Sequence, residues 1–295
     1  MRSCQEISEY MEKNGCTLVE SILEIEASDL DCSTESVLNQ ITQRLSDMEQ
    51  SIKEASHGPL TPKITKNDAV KMKKYCSSHD VLSGKLTSRA SEIALSVATF
   101  NASMGRIVAT PTAGSCGIIP GVLFSWKEFR HEHKQTLLEG LIVAAAIGQV
   151  IANRATLAGA EGGCQAESGA AAAMASAALV WLESKDAKAC FHAIAICLKS
   201  TMGLVCDPVA GLVEVPCVKR NGTLVSLAII SADMALAGIQ SVIPPDEIID
   251  AMKKVGKSIP PSLRETGRGG VAVTPTGLSI TRQLNKRAPS IKKQS

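Results

Sequence analysis

Four long segments of this chain are apolar around almost their whole circumference when drawn as helices: 136–158, 168–182, 187–205 and 223–243. Strict alternation of apolar and polar residues, the pattern of a half-buried strand, is nearly missing. A helix that is apolar all round in a soluble protein must be buried among other helices. We therefore expect an all-α fold, with these segments at the centre of a helical bundle.

The core of such a bundle must be filled by small and aliphatic side chains, because aromatic residues make up only 3% of the sequence. The segment 223–243 approaches the roughly 20 apolar residues that could span a bilayer. It contains Asp233, however, and Ser226, Asp233 and Gln240 recur every seven residues as a narrow polar stripe. We expect a core helix whose stripe contacts polar groups inside the protein, and no membrane span.

The N-terminal region is more polar and reads as a helical arm, with Val37, Ile41, Leu45, Met48 and Ile52 on one face of a helix. Two prolines in the stretch 56–62 then break helix propagation. The predicted organisation is a helical N-terminal arm at 1–60, a main helical domain at 61–285 and a basic flexible tail at 286–295. We expect the arm to pack against a partner chain or a second copy.

The formal net charge of +2 gives no basic footprint for nucleic acid or for a membrane surface. The first residues turn acidic instead of entering an apolar run, so we expect no signal peptide and a cytoplasmic protein. In a reducing compartment, clustered cysteines indicate metal ligands or reactive thiols. Cys190 and Cys197 lie in an apolar run and are expected to be core residues.

Four polar, glycine-rich loops interrupt the apolar body. Loop 1 is 101–117, loop 2 is 161–168, loop 3 is 206–216 and loop 4 is 265–277. Their hydroxyls and bare backbone N–H groups suit a carboxylate or a phosphate, although a structural role is favoured for any single loop of this kind. Neither G-x-x-x-x-G-K-[ST] nor G-x-G-x-x-G occurs, so the sequence does not support nucleotide binding.

Three cysteines lie in or beside these loops: Cys164 in loop 2, and Cys206 and Cys217 at the two ends of loop 3. The spacing C-x10-C fits no standard zinc finger, and no histidine lies close to it in sequence. Three thiolates would leave one corner of a cubic iron-sulfur cluster without a protein ligand. From spacing alone, a three-cysteine metal site and a set of isolated buried thiols both stay open.

Several long motifs together resemble the iron-sulfur-dependent L-serine dehydratases, and specifically the separate α subunit of the two-chain bacterial form. They are N-A-S-M-G-R-I-V-A-T-P-T-A-G-S-C-G, E-G-G-C-Q-A-E-S-G, C-D-P-V-A-G-L-V-E-V-P-C and R-E-T-G-R-G-G-V-A-V-T-P-T-G. The resemblance covers about residues 65 to 285. It implies an all-helical catalytic domain, in agreement with the periodicity.

The resemblance also implies a 4Fe-4S cluster on Cys164, Cys206 and Cys217, without pyridoxal phosphate. An iron with an open site can assist departure of the β-hydroxyl of L-serine as a Lewis acid. Cys116 lies in the substrate loop and is left unassigned. The residues that we expect to bind the substrate are Asn101, Thr110, Thr112 and Ser115, with Arg268 for its carboxylate. The general base is not identified.

Single-chain relatives carry an additional N-terminal domain, so the resemblance implies a separate β subunit and an oligomeric enzyme. Some of those relatives end in a cysteine that reaches the cluster, whereas this chain ends Lys292-Lys293-Gln294-Ser295. Two other functions stay open. One is a cysteine desulfidase-like lyase with the same cluster, and the other is a non-catalytic module that senses oxygen or iron. The hydroxyl-rich loops 1 and 4 favour an enzyme, because a sensor needs no substrate pocket.

Overall fold

The computed structural model describes residues 1–58 and 60–287. Within those residues the only β pairing is an isolated bridge between Cys206 and Arg264, so the all-α prediction is confirmed. The α-helices are, in chain order, α1 (Cys4–Asn14), α2 (Leu18–Asp29), α3 (Thr34–His57), α4 (Asp68–Ser78), α5 (Gly84–Ala102), α6 (Ile118–Arg130), α7 (Leu137–Arg154), α8 (Gly159–Gly162), α9 (Ala170–Ser184), α10 (Ala187–Thr201), α11 (Cys217–Leu236), α12 (Pro245–Ser258) and α13 (Pro275–Arg287).

Helix α9 is the centre of the bundle, and every residue from Ala170 to Leu182 is buried. It contacts α6, α7, α10 and α11, which surround it. Because the many alanine side chains of α9 are short, the backbones of neighbouring helices approach it closely. At Gly148 of α7, an added Cβ would lie 2.7 Å from the Cε atom of Met174. The core is thus built from small and aliphatic side chains, as the low aromatic content predicts.

Helix α11 differs from its prediction in both bounds and orientation. It begins at Cys217 rather than at 223 and ends at Leu236 rather than at 243. Ser226 and Asp233 are exposed, together with Ile230, and Gln240 lies beyond the end of the helix. The expectation that the stripe contacts polar groups inside the protein is wrong. The helix instead packs through its other face, which carries Gly222, Val225, Ala228 and Ala232.

One stretch, Lys134–Arg154, contains a helix long and apolar enough to cross a membrane by length and composition alone. It comprises α7 and the turn before it. In this fold, 67% of its most apolar window is buried, chiefly against α9 and other helices of the bundle. Its apolar character is therefore accounted for by its position in the core.

The first three helices pack on the core of the chain itself. Ile7, Leu18 and Leu45 are almost completely buried, and they belong to the same cluster of apolar side chains as α7 and α9. The Asp246 carboxylate accepts hydrogen bonds from the backbone N–H groups of Cys4 (2.9 Å) and Gln5 (3.0 Å), which fixes α1 to α12. A partner chain would therefore contact this region through its outward, more polar faces.

A buried carboxylate fastens the junction that follows α3. Glu214 of loop 3 accepts hydrogen bonds from the backbone N–H groups of Lys63 (2.8 Å), Ile64 (2.7 Å) and Thr65 (2.9 Å). The division at residue 60 stays a prediction, but the chain just beyond it is held against the loop that joins two candidate cluster ligands. Most of the predicted tail, 288–295, lies outside the described residues.

Candidate active site

Helix starts bring two of the three candidate cysteines to one region. Cys164 precedes a π-helical turn, Gln165–Gly169, that runs directly into the central helix α9. Cys217 is the first residue of α11, which packs against α9. Loop 2 is consequently mostly helical, since α8 occupies Gly159–Gly162. The apolar segments found in the sequence therefore position these two cysteines, because their helices begin at or next to them.

The third cysteine, Cys206, is held by its backbone. Its N–H donates to the carbonyl of Leu263 (2.9 Å), and its carbonyl accepts from the N–H of Glu265 (2.7 Å). These two bonds form the isolated bridge and attach loop 3 to loop 4. Loop 4 ends earlier than expected, at Thr274, because α13 begins at Pro275. Two backbone hydrogen bonds therefore join Cys206 to the start of loop 4.

All three thiols are free and buried, with relative exposures of 2% for Cys164, 3% for Cys206 and 8% for Cys217. Burial raises the pKa of Cys217 to about 12, and the charge of Cys164 is the next cause. Burial also raises the pKa of Cys206, followed by the charges of Glu167, Cys164 and Cys217. The thiols are thus close enough to oppose one another's ionisation, and a bound cation would relieve that opposition.

The donor set distinguishes between kinds of metal centre. Within residues 1–58 and 60–287, no three His, Cys, Asp or Glu side chains are close enough together to hold a single metal ion. Cys164 and Cys217 both contribute to the raised pKa of Cys206, so the three thiols lie in one region without forming a site for a single ion. An iron-sulfur cluster places its thiolate ligands further apart than a single ion does, and it is bound by sulfur alone. The residues therefore fit a cluster better than a mononuclear zinc site.

Sequence reasoning missed Glu167, whose side chain lies between Cys206 and loop 1. Its Oε2 atom is 3.8 Å from the Sγ atom of Cys206. A Cβ added at Gly114 of loop 1 would lie 3.5 Å from Oε1, and one at Gly159 would lie 2.7 Å from Oε2. Burial is the largest cause that raises its pKa, while contact with the Thr112 hydroxyl lowers it. A signal was available, because Glu167 is the only charged residue between Cys164 and Leu182.

The predicted substrate residues of loop 1 fall into two groups, and the first group holds the loop together. The Ser115 hydroxyl donates to the carbonyl of Thr110 (3.0 Å) and accepts from the N–H of Thr112 (3.4 Å). The Asn101 amide donates to the carbonyl of Ala113 (3.1 Å). Both side chains therefore use hydrogen bonds to shape the loop.

The second group keeps hydrogen-bonding capacity for a ligand. Thr110 is 7% exposed, and its Oγ1 atom has no hydrogen-bond partner among the described residues. Thr112 is half-buried, and its hydroxyl lies 3.3 Å from Ser115 Oγ and close to Glu167. A buried hydroxyl without a partner is costly in a folded protein, so it points to a missing ligand or water.

Asn221 joins loop 1 to the helix that carries Cys217. Its side chain is fully buried, and its Oδ1 atom accepts from the N–H of Gly117 (2.9 Å). Its Nδ2 group donates to the carbonyls of Gly114 (2.7 Å) and Cys217 (2.9 Å). One amide therefore fixes the distance between the hydroxyl-bearing loop and a candidate cluster ligand. Nothing in the sequence marked this residue, which lies in the polar run K-R-N-G-T at 219–223.

The last two residues singled out in the sequence are Cys116 and Arg268. Cys116 is fully buried and lies near Cys217, and burial followed by that neighbour raises its pKa to about 12. The position of Cys116 does not assign it a role as a ligand. Arg268 is exposed on loop 4, where its guanidinium forms no ion pair with any residue in the described part of the chain. Its proposed contact with the substrate carboxylate stays a prediction.

The family model for the serine dehydratase alpha chain matches residues 8–272. A probable L-serine dehydratase alpha chain of Bacillus subtilis is 44% identical over 284 residues, which cover 96% of this chain and 95% of the relative. The L-serine dehydratase alpha chain of Peptoniphilus asaccharolyticus is 38% identical over 296 residues, covering 97% and 99% of the two chains.

A longer relative matches only in part. L-serine dehydratase 2 of Escherichia coli is 42% identical over 183 residues, which cover 61% of this chain and 40% of that protein. The match of the alpha-chain model, by contrast, runs over most of the sequence and includes loops 1 to 3 and all three cysteines. This chain therefore belongs to the serine dehydratase alpha chain family.

Proposed function

We propose that this protein is the alpha chain of an L-serine dehydratase, a lyase that converts L-serine to pyruvate and ammonia with a 4Fe-4S cluster. The ligands are Cys164, Cys206 and Cys217. The proposal is supported by three buried free thiols on separate elements and by Glu167, which lies between the Cys206 sulfur and loop 1. The names of the relatives supply the substrate.

The bound cluster would supply a Lewis acid for the departure of the β-hydroxyl, which is a poor leaving group. The residues of the chain bind and orient the substrate. The hydroxyls of Thr110 and Thr112 donate to the carboxylate of L-serine, and Glu167 orients Thr112 and borders the substrate. Loss of water gives 2-aminoacrylate, which tautomerises and is hydrolysed to pyruvate and ammonia. No pyridoxal phosphate is needed.

A partner β chain completes the enzyme in this proposal. The name "alpha chain" of the relatives supports it, and so does the surface around the site. Large apolar side chains are exposed on loops 1, 3 and 4 and at the start of α13, where a partner chain would cover them. They are Met104, Val213, Val271, Val273 and Leu278. We place the assembly in the cytoplasm, where the cysteines stay reduced.

The test is anaerobic purification of the full chain, with and without a candidate β chain from the same source. Iron and acid-labile sulfide are measured, followed by pyruvate release from L-serine and sulfide release from L-cysteine. We expect about four irons and four sulfides per chain, following the cluster stoichiometry, and pyruvate from L-serine. Sulfide release in place of pyruvate would identify a desulfidase. Absence of iron in both preparations would overturn the proposal.

A further inference from the structure

Arg220 connects the segments of two candidate ligands. It lies three residues after Cys217, so one turn of α11 separates the two residues. Its Nη1 atom donates to the carbonyl of Val205 (2.8 Å), and its Nη2 atom donates to Oδ1 of Asp207 (3.0 Å). The two acceptors flank Cys206 on either side. One guanidinium on α11, the helix that begins at Cys217, therefore holds the segment around Cys206 through two hydrogen bonds.

Asp207 extends this connection to loop 4. Its side chain is 4% exposed, and its second oxygen, Oδ2, accepts from the N–H of Val271 (2.8 Å). Gly270 must be glycine for this approach, because a Cβ there would lie 2.2 Å from Oδ2 and its φ is +57°. Each oxygen of the carboxylate thus accepts one hydrogen bond, Oδ1 from the guanidinium and Oδ2 from the backbone N–H. An arginine held in this way keeps a fixed orientation.

The third candidate ligand, Cys164, is held separately, because its thiol donates to the hydroxyl of Ser168 (3.2 Å). The side chain of Arg220 is only 17% exposed. Because this side chain is so little exposed, its positive charge is weakly screened by solvent.

We propose that Arg220, anchored by Asp207, is a positioning residue of the cluster site: it holds the segments of Cys206 and Cys217 in register and would place a positive charge beside a bound cluster. The inference rests on the proposed function for the identity of the group. The geometric part concerns only residues of this chain. Neighbouring groups of this kind commonly govern metal retention and reduction potential as strongly as the ligands themselves.

The test compares three variants of the full chain. Arg220→Gln removes the charge and the fork of donors, whereas Arg220→Lys keeps the charge without the fork. Arg89→Gln is the matched control, because Arg89 is also paired with carboxylates, Glu92 and Glu128 at 2.7 Å each. It changes the net charge equally. Arg89 lies twelve residues before Asn101 on α5, so about 18 Å of helix separates it from the start of loop 1.

Each variant is reconstituted anaerobically with ferrous iron and sulfide, and iron loss to a chelator is timed. We expect Arg220→Gln to lose iron at least about tenfold faster than the wild type, and Arg220→Lys to fall between them. The midpoint potential of the cluster should shift to more negative values in Arg220→Gln and stay near the wild-type value in Arg220→Lys. Arg89→Gln should match the wild type in both measurements.

Hydrogen exchange in the iron-free protein tests the geometric part without any cluster. In Arg220→Gln, the amides of 204–211 should exchange faster than in Arg89→Gln, since the grip on both sides of Cys206 is lost. Equal exchange, equal iron loss and equal potential in Arg220→Gln and Arg89→Gln would overturn the inference. If the wild type bound no iron, the proposed cluster would be wrong. Faster exchange in Arg220→Gln would then show only that Arg220 holds the segment around Cys206.

Discussion

The Oε2 atom of Glu167 lies 3.8 Å from the Sγ atom of Cys206, although 39 residues separate the two in sequence. The same carboxylate lies close to Gly114 and to the hydroxyl of Thr112 in loop 1. It therefore marks the place where the candidate cluster ligands meet the candidate substrate loop.

Replacing Glu167 with glutamine should lower kcat/KM for L-serine by about a hundredfold or more, since a charged group in a water-poor site contributes most there. The iron content should stay near that of the wild type, because the carboxylate is not among the proposed ligands. Glu183→Gln, near the end of α9 and outside the site, is the control. Unchanged kinetics at full iron content would remove Glu167 from the site.

The three cysteines should behave differently from a buried cysteine of the core. Serine at Cys164, Cys206 or Cys217 should abolish or strongly reduce cluster binding, because a hydroxyl is a poor ligand for an iron-sulfur cluster. Cys190→Ser is the control, since Cys190 is fully buried and its sulfur donates to the carbonyl of Ala177 (3.4 Å). Iron and sulfide analysis decides this prediction. Wild-type iron content in a Cys164 or Cys206 variant would show a different ligand set.

Thr110 offers a contrast between stability and function. Its hydroxyl is buried without a partner, so Thr110→Val should leave the melting temperature unchanged or raise it. The same change should raise KM for L-serine, because the hydroxyl is proposed to bind the substrate. Thermal unfolding and steady-state kinetics measure the two effects. A marked loss of stability together with an unchanged KM would show that the hydroxyl is a structural group.

Asn221→Asp preserves the shape of the side chain but removes both donors and points an anionic oxygen at two carbonyls. Breaking this buried network should cost about 2 to 4 kcal/mol of unfolding free energy. Because the amide joins loop 1 to Cys217, kcat should fall more than stability alone explains when measured well below the melting temperature. Asn153→Asp, which loses one bond to the carbonyl of Met1, is the matched control. Equal effects on kcat in the two variants would argue against a positioning role.

Glu214→Gln tests whether the junction after α3 supports the cluster loop. The glutamine places an N–H₂ group where the backbone of 63–65 presents donors, so about 1 to 3 kcal/mol of stability should be lost. Limited proteolysis should then cut near residue 60 before it cuts elsewhere. Glu54→Gln, at the exposed end of α3, should leave the cleavage pattern unchanged. An intact junction in Glu214→Gln would mean that other contacts hold it.

The helical class and the buried centre were readable from the sequence. Helix α9 shows why: its residues from Ala170 to Leu182 are apolar in every direction, and only burial among other helices can satisfy such a surface. The three cysteines and the hydroxyls of loop 1 were likewise identified from motifs. For α11 the same reasoning gave the wrong environment, since periodicity places Ser226 and Asp233 on one face without saying which face meets the core.

Local patterns determined the elements of this protein, whereas the tertiary structure decided which residues share a site. Glu167 is the one charged residue of an apolar segment, whereas Arg220 and Asn221 lie in the short polar run K-R-N-G-T at 219–223. Their roles depend on partners far away along the chain, such as Cys206 for Glu167 and Gly117 for Asn221. Sequence periodicity records only which side chains share one face of a helix. Contacts between helices depend on how their backbones cross, and the small residues of α9 and α11 set that approach.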